Sequence, residues 1–246
     1  MGEVILKKEQ PVIALVNSIP PYRIPLFNAF SRSLDNFRVV CDTVIESDRK
    51  WNLPYSKIEF PFTKSRAITF QRFWRKGAGR DLHISINILK ILFQSNPKII
   101  LTTELGLRTY WAICYKYFNR RCHVIIWLTL SERTENKYGF FRKIFRRILL
   151  SKCNTVIVSG LSASNYLASL GIHLSNLFVI PQAIEWNTIN LKKEENKISE
   201  TFTISMVASL EKRKNIRWGI EQLDSLARER DEPIILRIAG DYQLDL

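Results

Sequence analysis

Short runs of apolar, β-branched residues alternate with amphipathic stretches along most of the chain. Val12–Asn17 reads as a buried strand, followed by a loop at Ser18–Arg23 and a helix from about Ile24 to Leu34. Phe37–Asp42 reads as a second strand and Lys57–Phe62 as a weaker one. Leu82–Phe93 has helical spacing and is closed by the Asn96-Pro97 breaker. The alternation continues with strand Lys98–Thr103, helix Leu107–Phe118 and strand His123–Thr129. An amphipathic basic helix follows, then strand Thr155–Val158, helix Ser162–Leu170 ending at Gly171, and strand Leu177–Ile180. Strands that are apolar throughout and separated by helices predict an α/β domain. Its sheet would be parallel and doubly wound, covered on both faces, and would end near Pro181.

Residues 187–200 are polar and charge-rich (Lys192-Lys193-Glu194-Glu195) and read as a linker. It would separate a first domain, 1–186, from a second segment, 201–246. That segment predicts strand Thr201–Ala208, helix Asn215–Arg230 and strand Pro233–Ala239. Two strands and one helix cannot bury a core of their own, so the second domain is expected to be incomplete.

Composition narrows the class. The 246 residues are 46% hydrophobic and 24% charged, which is globular rather than disordered material. The longest apolar run, Cys122–Leu130, falls well short of the roughly 20 residues a membrane-spanning helix needs. The start of the chain lacks the features of a secretory signal. Cysteines 41, 114, 122 and 153 form no C-x-x-C pair and no zinc-like grouping with the three histidines. Reduced thiols in a cytosolic protein, with no metal site, are expected.

Charge changes the picture more. The net charge is +14. Residues 1–180 hold 27 Lys and Arg against 11 Asp and Glu, while 181–246 hold 10 against 12. All the excess therefore sits in one part, which suits phosphate, an anionic polymer or an acidic membrane surface. Two clusters concentrate it. Phe60–Arg80 carries six basic residues and no acid, interleaved with aromatics. Its Gly77 and Gly79 suggest a loop, so Arg72, Trp74, Arg75 and Lys76 are the preferred candidates for membrane contact. Lys137–Lys152 again carries six basic residues and no acid. Here Phe140, Phe141, Ile144, Phe145, Ile148 and Leu149 form an apolar stripe. Turned inward, the stripe is core with a solvated basic back, the commoner arrangement. The alternative places the helix near anionic headgroups.

In a parallel α/β sheet, ligands collect at the carboxyl ends of the strands. That rule selects Ser18-Ile19-Pro20-Pro21-Tyr22-Arg23 after the first strand, Glu104 after Lys98–Thr103, and Glu132 in the loop after His123–Thr129. A carboxylate there can act as a base or bind sugar hydroxyls. In the second segment, Arg213 and Lys214 precede a helix for which Asn215 is a plausible cap. Free backbone N–H groups, the helix dipole and a lysine together make a diphosphate site.

The order of these residues resembles glycosyltransferase family 4, whose GT-B fold pairs two Rossmann-like domains. The resemblance is carried by Pro20-Pro21-Tyr22-Arg23-Ile24-Pro25-Leu26-Phe27, by Cys153-Asn154-Thr155-Val156-Ile157-Val158-Ser159 and by Val179-Ile180-Pro181-Gln182-Ala183-Ile184-Glu185. Val207-Ala208-Ser209-Leu210, Arg213-Lys214-Asn215 and Ile238-Ala239-Gly240-Asp241 extend it into the second segment.

The resemblance implies a retaining enzyme that needs no metal or other cofactor. A nucleotide sugar would be bound through the second domain, at Lys214, Arg213, Asn215 and Gly240. A glycan or lipid-linked acceptor would be bound through the first, at Tyr22, Arg23 and Glu104. Glu132 would lie beside the reacting sugar. Such enzymes build lipopolysaccharide and related cell-surface polysaccharides, which implies a cytoplasmic protein peripheral at the inner face of the membrane.

The chain also departs from the family. Ala208-Ser209 stands where the family has Gly-Arg, and the family's paired-glutamate motif would fall beyond Leu246. A truncated enzyme is therefore expected. The alternative is a non-catalytic module that docks on anionic membrane or a partner protein. No nucleic-acid module is recognisable, so nucleic-acid binding is not expected.

Overall fold

A computed structural model describes residues 11–46, 52–70, 82–130, 132, 139–185, 202–208, 210, 214–230 and 233–240. The chain divides into two compact units, residues 1–70 with 83–186, and 71–82 with 187–246.

The first unit is built on a parallel sheet of seven strands. These are β1 (Val12–Val16), β2 (Phe37–Cys41), β3 (Phe62–Lys64), β6 (Ile99–Thr102), β7 (His123–Leu128), β8 (Thr155–Val158) and β9 (Leu177–Val179). Their spatial order is β3-β2-β1-β6-β7-β8-β9. From β1 the chain first builds outward through β2 and β3, then returns to place β6 on the other side of β1. The order therefore reverses between β1 and β6, where an open α/β sheet leaves a crevice at its carboxyl edge.

Every second residue of β1 faces a different core. Val12, Ala14 and Val16 pack with Phe37, Val39 and Cys41 under α1 (Ile24–Ser33), which contributes Ile24 and Phe27. Ile13 and Leu15 pack on the opposite face. There α2 (Ile88–Ser95) supplies Ile88 and Leu92, and α3 (Leu107–Phe118) supplies Ala112 and Tyr115. The far end of that face is closed by α4 (Phe140–Lys152) and α5 (Leu161–Ser169), through Leu150, Ala163, Tyr166 and Leu167. This two-period alternation between buried faces produces the wholly apolar strands seen in the sequence.

Three expectations are corrected. Leu82–Phe93 is not one helix: Leu82–Ser85 is a strand, β5, and the helix begins at Ile88. β5 pairs with β4 (Ala67–Phe70) in a separate two-stranded ribbon. The local reason is alternation, since His83 and Ser85 are buried and Ile84 is not. Lys57–Phe62 is not a strand either. Tyr55–Lys57 is a 3-10 turn, and the strand is displaced to Phe62–Lys64, pairing with β2. The aromatic start of the Phe60–Arg80 cluster is structural: Phe60 is buried and meets Phe27 edge-on at 5.5 Å.

The third correction concerns α4. Its stripe does not pack inward: Phe140, Phe141, Ile144, Phe145 and Ile148 are all exposed. Among its described side chains only Leu149 and Leu150, at its end, are buried, while Lys143 and Arg146 are half-buried. The helix is held by Leu149 and Leu150 with Lys143 and Arg146 beside them, while Arg147 and Lys152 are exposed. Burial lowers the Arg146 pKa, an effect that Tyr166 opposes.

The second unit is a β-α-β element, with β10 (Phe202–Val207) parallel to β11 (Ile234–Ala239) and α6 (Ile216–Arg230) between them. A Cβ at Gly219 would lie 3.1 Å from Met206 Cε, so α6 packs on β10 through the flexible end of that methionine. Of the described apolar side chains in this unit, only Ile216 is buried. The linker expected at 187–200 lies outside the described residues.

Burial in the first unit raises the thiol pKa of Cys41 to about 11, of Cys122 to about 11 and of Cys153 to about 12. Their ordinary value is 9.0, so the folded chain holds these protons more tightly than the unfolded one. The resulting stabilisation is complete below about pH 9 and is lost as pH rises through the folded values. Denaturant melts should therefore show stability falling from about pH 9 upward, less steeply when the three cysteines are replaced by alanine.

Candidate functional site

The loops at the reversal point of the first unit enclose an open pocket of about 270 Å³. It is lined by Val16, Asn17, Ser18, Pro20, Tyr22 and Arg23 after β1, and by Phe27 of α1. Glu46 beyond β2 and Thr103 and Glu104 after β6 complete it. The local sequence builds this rim simply. Pro20 and Pro21 stiffen the exit of β1, and Pro21–Arg23 forms a 3-10 turn that runs into α1. The turn leaves Tyr22 exposed and brings Arg23 over the indole of Trp127, with Cζ 4.9 Å from the ring centroid. Partial burial lowers the Arg23 pKa, with Tyr22 acting in the opposite direction.

Behind the rim lies a buried ionic network. Arg108, in the first turn of α3, pairs with Asp42 at the end of β2, and their side chains are 4% and 1% exposed. Its other terminal nitrogen pairs with Glu104, and it donates to Asn17 Oδ1 at 3.2 Å. Asp42 also accepts from Ser65 Oγ at 2.6 Å and from Ser85 Oγ. Asn17 in turn donates to Glu46. The loops after β1, β2 and β6 are thus joined through one guanidinium. A cation in the first turn of a helix opposes the helix dipole, and these two carboxylates offset that.

Tyr22, Arg23 and Glu104 therefore line one pocket. Glu132 is exposed and does not line it. Arg72, Trp74, Arg75 and Lys76 lie outside the described residues. The sequence did not single out Asn17, Asp42, Glu46 or Arg108. Their signal was a charge or amide at the end of an apolar run, repeated at one sheet edge. Among the described residues no three His, Cys, Asp or Glu side chains group as metal ligands.

In the second unit, Lys214 is exposed between β10 and α6, and Gly240 follows β11, so both lie at the carboxyl edge of that parallel pair. Arg213 lies outside the described residues. Asn215 immediately precedes α6, but with φ 56° it has the left-handed backbone rather than the extended one of a capping residue. Asparagine is among the few residues that adopt this conformation at low cost.

No family model and no curated protein matches the chain. Solved structures do. Anabaena Alr3699/HepE in complex with UDP superimposes with a TM-score of 0.57 at 9% identity, covering 94% of this chain and 69% of that one. The lipopolysaccharide outer core galactosyltransferase WaaB gives 0.53 at 9% identity, covering 94% and 69%. A Listeria monocytogenes protein assigned as a UDP-N-acetylglucosamine 2-epimerase gives 0.50 at 10% identity, covering 96% of this chain and 63% of that one. At such identities the likeness establishes the fold alone, an α/β Rossmann-like architecture of the GT-B kind.

Proposed function

We propose that the chain is a glycosyltransferase that moves a sugar from a nucleotide-sugar donor to an acceptor hydroxyl. The observation that carries this reading is the pocket at the strand-order reversal. Asn17, Tyr22, Arg23, Glu46 and Glu104 offer it both donors and acceptors of hydrogen bonds, as a polyhydroxylated ligand requires. The fold it shares with HepE and WaaB agrees with that use.

In this reading the pocket orients the acceptor, a glycan or lipid-linked sugar of cell-surface polysaccharide synthesis at the inner face of the membrane. Lys214, Arg213, the N-terminus of α6 and Gly240 hold the donor diphosphate, and Glu132 stands beside the reacting sugar. The acceptor oxygen bonds to the anomeric carbon. The bond from that carbon to the phosphate oxygen breaks, and its electron pair leaves with the nucleoside diphosphate. The hydroxyl proton passes to a departing phosphate oxygen. Lys214 offsets the charge that grows there, so no metal ion is required. Retention of anomeric configuration follows the resemblance to family 4.

Calorimetric titration with UDP and UDP-sugars tests the donor side. Saturable binding is expected, weakened about tenfold by Lys214→Ala, the scale of one charge-assisted contact. A folded chain that binds no nucleotide sugar would overturn the reading. So would a product that is an epimerised sugar rather than a new glycoside.

A further inference from the structure

We infer that the outer face of α4 docks the protein on an anionic lipid surface. The inference rests on the membrane-peripheral part of the reading above and on nothing in the donor chemistry.

The orientation of α4 carries it. At about 100° per residue, Phe140, Ile144, Ile148, Phe141 and Phe145 fall on a single arc of about 140°. All five are exposed, Phe140 at 71% and Phe141 at 86%. The opposite arc carries Lys143, Arg146 and Leu150, which are half-buried or buried against the body of the unit. A solvated helix places these two faces the other way round. Three phenylalanines and two isoleucines on an outward face form an apolar surface with nothing over it among the described residues.

Charge selects the occupant. The chain from Lys137 to Lys152 contains no acid; Arg147 of α4 is exposed beside the apolar arc, and Lys152 is exposed within it at the last turn. Lys116 of α3 donates from Nζ to the Lys152 carbonyl at 2.7 Å, which brings the end of α3 against the end of α4. Beyond that contact Tyr117, Phe118, Arg120 and Arg121 are all exposed. A second copy of the chain would set two basic faces against each other. A bilayer with anionic headgroups takes both features at once. The aromatic side chains enter the acyl boundary, and each nearby cation gains about 1 kcal/mol from the surface potential. The N-terminus of α4 follows the carboxyl end of β7, the sheet edge from which the pocket opens. Lys152, Arg120 and Arg121 lie at the opposite, amino edge, just before β8 and β7, so a docked α4 lies along the surface from one sheet edge to the other.

Co-sedimentation of the full chain with vesicles tests this. It should bind phosphatidylglycerol–phosphatidylcholine vesicles, bind phosphatidylcholine alone far less, and lose binding in high salt. Phe141→Ser with Phe145→Ser should lower partitioning by about tenfold or more, as expected when apolar side chains that enter the boundary are removed. Phe141→Ser alone, at a side chain that is 86% exposed, should lower partitioning with the melting temperature unchanged. Arg147→Glu with Lys152→Glu should abolish the preference for anionic vesicles.

The inference is overturned if the wild-type chain does not bind anionic vesicles, or if the phenylalanine pair binds as the wild type does. It is equally overturned if light scattering shows a dimer that the phenylalanine substitutions dissociate. Titrating the same proteins with UDP-sugar separates the two proposals. Donor binding with no vesicle binding removes the docking surface alone, and the reverse removes sugar transfer alone.

Discussion

Arg108→Met should destabilise the first unit by about 3–5 kcal/mol, read as a shift in denaturant midpoint at unchanged slope. The substitution removes the partner of a carboxylate that is almost wholly buried. Asp42 would keep only the hydroxyls of Ser65 and Ser85. Leaving one charge of a buried pair without the other costs far more than the pair itself contributes. For the same reason Asp42→Asn with Arg108→Met should recover part of the loss, a coupling a double-mutant cycle would show. Arg108→Lys should fall between, since an ammonium cannot fork to Asp42 and Glu104 together. An Arg108→Met chain as stable as the wild type would mean that the network contributes nothing.

Phe27→Ala should cost a similar amount, about 3–5 kcal/mol, for a different reason. The ring is 1% exposed and meets Phe37 at 6.0 Å and Phe60 at 5.5 Å. Removing it leaves a cavity between α1 and the sheet that α1 can fill only by moving. Because Phe27 also lines the pocket, the loss should appear twice: in the denaturation midpoint, and as weaker binding of any ligand the pocket takes, at temperatures where the chain is still folded. Phe27→Leu should restore most of the stability. A midpoint unchanged by Phe27→Ala would place the core elsewhere.

How much of this the sequence declares depends on how local the cause is. β1, α1, β2, β6, α3, β7 and β8 lie where the apolar runs and breakers place them, because each is specified by its own residues. The ribbon of β4 and β5 was hidden. Leu82–Ser85 has only two alternations to show, and it merges with the helical spacing of Ile88–Ser95. The orientation of α4 was hidden for another reason. Periodicity reports that a helix has two faces, not which of them the rest of the chain will meet. Tyr22, Arg23 and Glu104 could be picked out because strand ends in a parallel sheet share an edge. Their supports could not: Arg108 finds Asp42 across 66 positions and Asn17 across 91, distances over which one sequence carries no pairing signal.

The guanidinium that ties three loops together has an energetic corollary. Loops fixed before a ligand arrives have little backbone freedom left to surrender, so more of each new hydrogen bond survives as affinity. Ser85 supports the same carboxylate from outside the main sheet, in the β4–β5 ribbon. Selection on ligand affinity would then act on positions that never touch the ligand.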